Sequence, residues 1–448
     1  MNGLLERTEK IIVKWSDTVN ESVKKVLAVI LFAAIFTGTI GIPLFKEDSF
    51  SIVVMLGAAV TCALIILFVS RESFQVRKFK SNEDVLLIVM GMCFLINALY
   101  YKVIGYFAIA VIFAGIIPAL HRALAPVEKK KIFAYLCTAI VAVFGIFVII
   151  SIIAGPGISE KQYSSFLGNP NILGGFTVIT VPASIYLMIK KKDGNPWIVL
   201  GLEFILGIAV SMCFMSNSRT SFIAIITQLI VCTVVLTIRE ARRNSNWAII
   251  CIKKGVAVAL IIVLSFLMIF MILTVAKQGD SPSIFESIDL SGSRLEKGLG
   301  DNENDAFTSG RMGIWKEYLD NLSFIGHASE SRDIQNGVRS YINTNAHNAY
   351  IQVAYSAGII AGIVLAIYVV IVGIKLMKKG MGFLRGKDLS DDMLLFMMAF
   401  LGFFFASLTS AGYMIFTYLP ATLFWISESA LAEKKDESCE KSFSNRKC

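Results

Sequence analysis

Residues 347–374 read HNAYIQVAYSAGIIAGIVLAIYVVIVGI, and this stretch decides the class of the protein. Beyond His347 it carries no ionisable side chain of the Asp, Glu, Lys or Arg type until Lys375. A run of about 20 predominantly apolar residues suffices to cross a hydrocarbon core of about 30 Å as a helix. The same texture recurs through the chain, which has 448 residues, 56% of them hydrophobic and only 17% charged. That composition excludes an ordinary soluble globular protein. The runs are continuous, whereas barrel strands alternate apolar and polar residues, so a transmembrane β-barrel is excluded as well. The expected fold is therefore all-α, a polytopic membrane protein with about 12 transmembrane helices and one large external loop containing short helices.

The spans are expected near 26–45, 50–70, 85–101, 103–120, 132–154, 171–189, 197–216, 220–238, 255–276, 348–374, 393–410 and 411–427. Residues 1–25 place Leu4, Leu5, Ile11, Ile12, Trp15 and Val19 on one helical face beside Arg7, Lys10 and Lys14, the pattern of an amphipathic helix lying on the cytoplasmic surface. The organisation is then a 1–25 amphipathic segment, 26–276 with nine spans, a 277–347 external loop, 348–427 with three spans, and a 428–448 cytoplasmic tail. Residues 26–45 are too long for a secretory apolar region and lack a small-residue cleavage site, so the first span is expected to stay.

The net charge of +9 reports topology rather than a nucleic-acid partner. With the N-terminus inside, 31 of the 42 Lys and Arg fall in alternate, cytoplasmic segments and 11 on the outer side, as the positive-inside rule requires. Both termini are then cytoplasmic and 277–347 lies outside. The cysteines sit in spans or cytoplasmic segments (Cys62, Cys93, Cys137, Cys213, Cys232, Cys251, Cys439, Cys448), so no structural disulfide is expected. Glu203 is the one carboxylate well inside a span, read either as a functional group or as a snorkelling one near the cytoplasmic end. The absence of a carboxylate relay weakens a transporter reading.

The outer loop is net acidic. From Thr308 onward, Ile314, Trp315, Tyr318, Leu319 and Leu322 recur at helical spacing, with Thr308 or Ser309 placed to cap. Asp301-Asn302-Glu303-Asn304-Asp305 resembles the start of a calcium-binding loop, but Ala306 stands where that loop turns on glycine. The three histidines do not cluster, so no metal site and no cofactor is expected. Three outer residues are candidates for the chemistry. Arg219, in the short turn Ser216–Thr220, is either an interfacial snorkel or an anion ligand aided by the N-terminus of the following helix. Arg311 opens the loop helix, where the helix dipole disfavours a cation that serves no other group, and is read either as a second anion ligand or as a plain surface arginine. His347 precedes the tenth span and is read either as a structural histidine at a loop end, the commoner case, or as a neutral imidazole that accepts a proton from a sugar hydroxyl. Gly358 and Gly362 form a GxxxG pair assigned to close helix packing.

Asn345-Ala346-His347-Asn348-Ala349-Tyr350-Ile351-Gln352, followed by Ser356-Ala357-Gly358-Ile359-Ile360-Ala361-Gly362, resembles the signature of the O-antigen ligase and O-antigen polymerase superfamily. Gly168-Asn169-Pro170-Asn171, Ser218-Arg219-Thr220-Ser221 and Gly310-Arg311 with Trp315 agree in order, so the resemblance covers about residues 160–370. Ile325-Gly326-His327-Ala328 departs from it where many relatives have a glycine-rich turn. The resemblance implies a fold akin to the C class of membrane glycosyltransferases and a metal-independent, inverting transfer from an undecaprenyl-diphosphate-linked oligosaccharide. The acceptor would be a glycan or a second lipid-linked glycan, on the outer face of a bacterial cytoplasmic (inner) membrane, in surface polysaccharide assembly. His347, Arg219 and Arg311 would be catalytic, and Asn348, Asn169, Asn171 and Trp315 would contact substrate. Ligase and polymerase are not separated, and a non-enzymatic polysaccharide flippase or exporter is the alternative of another class. Partners are thus lipid-linked glycan, acceptor and membrane lipids, with no nucleic acid.

Overall fold

The computed structural model describes residues 18–41, 50–68, 82–124, 129–154, 158–159, 162–191, 194–244, 246–275, 311–328 and 345–431, together with Ile11 and Lys14. Most of the 1–25 segment, the 277–310 part of the loop with its acidic run, loop residues 329–344 and the tail beyond Leu431 lie outside the described residues.

The described chain is helical apart from a two-residue hairpin, β1 (Ile158–Ser159) and β2 (Gln162–Tyr163). In order come α1 (Glu21–Gly41), α2 (Phe50–Phe68), α3 (Asn82–Tyr101), and α4 (Ile104–Val111, continued by a π-turn Ile112–Ile116 and by Ile117–Leu124). Then follow α5 (Lys129–Ala154), α6 (Pro170–Lys191), α7 (Pro196–Ser216), α8 (Arg219–Arg243) and α9 (Trp247–Val275). After the loop helix α10 (Arg311–Asp320) come α11 (Ala349–Ala357), α12 (Ile359–Leu384), α13 (Asp391–Thr409) and α14 (Leu419–Ser427), the last running into a 3₁₀ turn Glu428–Leu431.

Among the described residues, nine helices are long and apolar enough to cross a membrane, and α2 and α9 contain shorter apolar stretches, Leu56–Ile65 and Gly255–Met271. The molecule is thus a multi-pass, all-helical membrane protein. Two of the twelve expected spans take another form. The stretch 348–374 is not one helix: it breaks at Gly358, whose φ of +98° no side chain beyond hydrogen tolerates well, so α11 and α12 are separate. A Cβ on Gly362 would stand 2.5 Å from Ala354 Cβ, so α11 folds back closely against α12. Gly362 of the GxxxG pair thus serves the close helix packing expected of it, between α11 and α12, while Gly358 makes the break between them. The last span, expected at 411–427, contains only nine helical residues, about 14 Å of rise. Residues 410–418 before it are irregular, with Tyr413–Phe416 buried and the rest half-buried, as irregular backbone inside a membrane protein requires.

The core is organised by α6, the most completely buried of the spanning helices, with 83% of its apolar window inside the protein. Pro182 lies inside it and has no N–H to give the carbonyl four residues earlier. That carbonyl, on Val178, instead accepts from Gln228 Nε2 of α8 at 3.2 Å, and the same nitrogen donates to Met398 O of α13 at 2.9 Å. Gly402 makes the approach possible, because a Cβ there would meet Val178 Cγ1 at 2.7 Å. One buried carboxamide thus joins α6, α8 and α13. At one end of this trio Asp391 pairs with Lys190 at 2.7 Å and Arg239 at 2.8 Å, and Tyr186 donates to Asp392 at 2.8 Å. With that end clamped, the opposite end of α6, α8 and α13 is where Asn169, Arg219 and Thr409 come together.

Candidate functional site

Three helices begin at this second end, and side-chain bonds hold their first turns together. At the start of α6, Asn169 Oδ1 accepts from Asn171 N at 2.9 Å. Asn171 Oδ1 accepts from Ser218 Oγ at 3.2 Å, and Ser218 is the residue that opens α8. Gly174 permits this contact, since a Cβ there would lie 2.3 Å from Ser221 Oγ. Arg219 is the first residue of α8, and its neighbour Thr220 accepts from Thr409 Oγ1 at 2.7 Å. One residue before Thr409, the Leu408 carbonyl accepts from Asn348 Nδ2 at 3.3 Å. Asn348 is in turn the N-cap of α11, accepting from Tyr350 N at 3.0 Å and Ile351 N at 3.1 Å. The last turn of α13 therefore bridges the residue after Arg219 to the residue after His347. The described link between α8 and α11 thus runs through α13.

His347 is built in with unusual firmness for a loop residue. Its φ is +48°, a left-handed conformation that costs a non-glycine residue about 1–3 kcal/mol and persists only where its surroundings enforce it. The surroundings are explicit. Asn345 Oδ1 accepts from His347 N at 3.1 Å, and Gln352 Oε1 accepts from Ala346 N at 2.9 Å. Trp315 Nε1 donates to Ala346 O at 2.8 Å. Both backbone groups of Ala346 and the first turn after Asn348 are thus committed, and the peptide between them has little freedom left.

The loop helix supplies the other half. α10 starts at Arg311, in agreement with the helical spacing read from Ile314 to Leu322, while Thr308 and Ser309 lie outside the described residues. Tyr318 of α10 is fully buried against Tyr355 of α11, ring centroids 4.7 Å apart and edge to face. His327 stacks on the same Tyr355 at 4.1 Å and meets Asn321 O at 2.7 Å. The Ile325–Ala328 turn, where the sequence departs from the family pattern, still closes on glycine. Gly326 has φ +87°, and a Cβ on it would sit 2.4 Å from Ser356 O.

These contacts bring α10 against α11 and Arg311 into electrostatic reach of His347. Burial, first, and the Arg311 guanidinium, second, hold the His347 imidazole below the ordinary histidine pKa. The ring is accordingly neutral at neutral pH, with a lone pair available. Arg219 and Arg311 are half-buried, as is His347. Two cations, one neutral base and three helix N-termini gather at one end of the bundle, an arrangement suited to an anion. Among the described residues no three His, Cys, Asp or Glu converge as metal ligands.

The four expected substrate-contact residues divide by what their side chains already do. Asn348 caps α11 and Trp315 holds Ala346, so both have structural duties. Asn169 and Asn171 are exposed, although each uses its carbonyl oxygen locally. Gln352, Asn345, Thr220 and Thr409 were not singled out by the sequence reading. The signal for Gln352 was present, as a carboxamide one turn after Asn348 in an apolar stretch. Glu203 is half-buried on α7, away from any contact described here.

No curated protein and no solved structure matches the chain significantly. A family model described as O-antigen ligase matches residues 204–366, a range that contains Arg219, Arg311, Trp315, His347 and Asn348 but not Asn169 or Asn171. That match supports the O-antigen ligase superfamily over residues 204–366.

Proposed function

We propose that the protein is an inverting glycosyltransferase that moves a glycan from undecaprenyl diphosphate to an acceptor sugar hydroxyl. The observation that carries the proposal is His347, strained, fixed on both sides and kept neutral beside Arg311. The O-antigen ligase family indicates ligase- or polymerase-like chemistry, and the finer steps follow from the residues. The acceptor oxygen attacks the anomeric carbon while His347 takes the hydroxyl proton. The bond from that carbon to the diphosphate oxygen breaks, and the electron pair leaves with the diphosphate. Arg219 and Arg311 bind the diphosphate and stabilise its growing charge through bidentate, charge-assisted hydrogen bonds. Because arginines fill the electrophilic role, no metal is required. Asn169 and Asn171, exposed at the start of α6 and tied to Ser218 beside Arg219, would contact the saccharide. Asn348 and Trp315 act by positioning His347. The site would face the outer side of a bacterial cytoplasmic membrane, where a lipid-linked glycan already flipped across it is presented.

The test uses purified protein in lipid nanodiscs with a defined undecaprenyl-diphosphate oligosaccharide, offered either an acceptor glycan or a second lipid-linked unit. Transfer should persist in excess chelator and fall at least about 100-fold in Arg219→Ala, Arg311→Ala and His347→Ala, the scale of losing a general base or a charge-stabilising group. Wild-type product formation by His347→Ala would remove the base from the mechanism.

A further inference from the structure

We infer that the turn Ser323–His327, between α10 and the remainder of the loop, is inserted in the membrane, with Phe324 and Ile325 among the acyl chains of the leaflet at the His347 end. Depth is the first argument. The span Glu83–Tyr101 ends at Tyr101, and Asn97, about 6 Å before that end, is fully buried and donates to Ile325 O at 2.9 Å. From the other side, Ile359 N, at the first residue of the span Ile359–Leu384, donates to Ser323 O at 3.0 Å. The turn is therefore held between the ends of two spans at a depth belonging to both, not above them.

Backbone satisfaction is the second argument, because irregular backbone at membrane depth is tolerated only when protein groups take up its polar atoms. Here they do. The Ser323 carbonyl is taken by Ile359, that of Ile325 by Asn97, that of Gly326 by Tyr101 Oη at 3.1 Å, and that of His327 by Asn97 at 3.3 Å. Ser323 Oγ accepts from Gly326 N at 2.8 Å, closing the turn on itself. A turn bathed in water needs no such set of donors. The third argument is what is left uncovered. Phe324 is 77% exposed and Ile325 36%, beside the exposed Leu99 and Tyr100 of α3 and Ile360 of α12. The apolar surface of the turn is thus continuous with the faces that two spanning helices present to lipid.

The opposite side of the same turn carries His327, stacked on Tyr355, which supports Tyr318 and through it the Ala346 region. Lipid contact at Phe324 is in this way built into the same piece of structure that holds Arg311 and His347, and sets them at headgroup depth.

The full chain, carrying the photoreactive apolar analogue p-benzoylphenylalanine in place of Phe324, would be irradiated in vesicles of phosphatidylethanolamine and phosphatidylglycerol. The same label at Ile363, on the lipid-facing side of α12, and at Lys387, beyond the far end of that helix, provides the references. A phospholipid adduct at 324 and 363 but not at 387 is the expected result, and the label at Ile325 should repeat it. Adducts at 363 alone would overturn the insertion. Displacement of the phospholipid adduct at 324 by added undecaprenyl diphosphate would overturn it too, by assigning the surface to the carrier chain. The readout is lipid contact, so it stands or falls independently of glycan transfer.

Discussion

Trp315 Nε1 donates to the carbonyl oxygen of Ala346 at 2.8 Å, so the loop helix grips the residue immediately before His347. The bond spans 31 residues of chain and is one of the direct ties between Arg311's helix and the histidine. Trp315→Phe keeps most of the apolar contact and deletes the donor, leaving a carbonyl to find water at a cost of about 1 kcal/mol. We expect kcat for glycan transfer to fall several-fold with little change in KM, since the substrate's own contacts remain. A fall in KM-dependent terms alone, with kcat intact, would move Trp315 into the substrate-binding role.

The acid limb of the pH–rate profile should lie below about 6.5, the ordinary histidine value. The sign follows from the base role: only neutral imidazole accepts the proton, and burial together with Arg311 lowers the pH at which it becomes protonated. Activity should therefore persist as pH falls through the ordinary value and be lost only below it. Arg311→Gln removes the positive neighbour, so the limb should move towards higher pH, while burial keeps it from returning fully to the value of a free histidine. A limb unmoved by Arg311→Gln would mean that the arginine does not act on His347 in the working enzyme.

Gly358→Ala places a Cβ 2.0 Å from the Phe324 carbonyl oxygen and demands φ near +98° of a residue that avoids it. Strain and overlap together should cost more than about 3 kcal/mol if the break is kept. The expected result is a clearly lowered thermal midpoint in detergent and loss of transfer. An alanine variant with an unchanged midpoint would show that α11 and α12 can join without penalty.

Gln228→Leu removes the donor shared by Val178 O and Met398 O, leaving the carbonyl freed by Pro182 without its partner. Interhelical hydrogen bonds in membranes contribute about 0.6–2 kcal/mol, so a modest drop in midpoint is expected, with transfer largely retained. Complete loss of transfer at full stability would point to a role for Gln228 beyond packing.

Asp320→Cys, on the exposed face of α10, should react with an impermeant thiol reagent added to intact cells, whereas Lys387→Cys should react only after permeabilisation. The reverse pattern would invert the topology and with it the side on which the site works.

Much of this protein follows from local composition. Long apolar runs must become helices in a membrane because no water is available for their backbone groups, so the spans from α3 to α8 and α13 begin and end near the expected positions. The loop helix at Arg311 was legible for the same local reason, apolar spacing, whereas Asn348, read as a substrate contact, emerged as the cap of α11 only in the folded structure. Tertiary structure decided what depends on residues far apart. Gly358 reads as one small residue in a GxxxG pattern; only the Phe324 carbonyl pressed against it makes it a break. Asn97 reads as a polar residue in a span, and only the carbonyls of Ile325, His327 and Ser356 give its amide a purpose. The neutrality of His347 belongs to this second group. Periodicity reports which face of a segment prefers protein or lipid, but a lowered pKa and a forced backbone angle depend on burial and on a neighbouring charge, and those exist only once α10 and α11 have packed together.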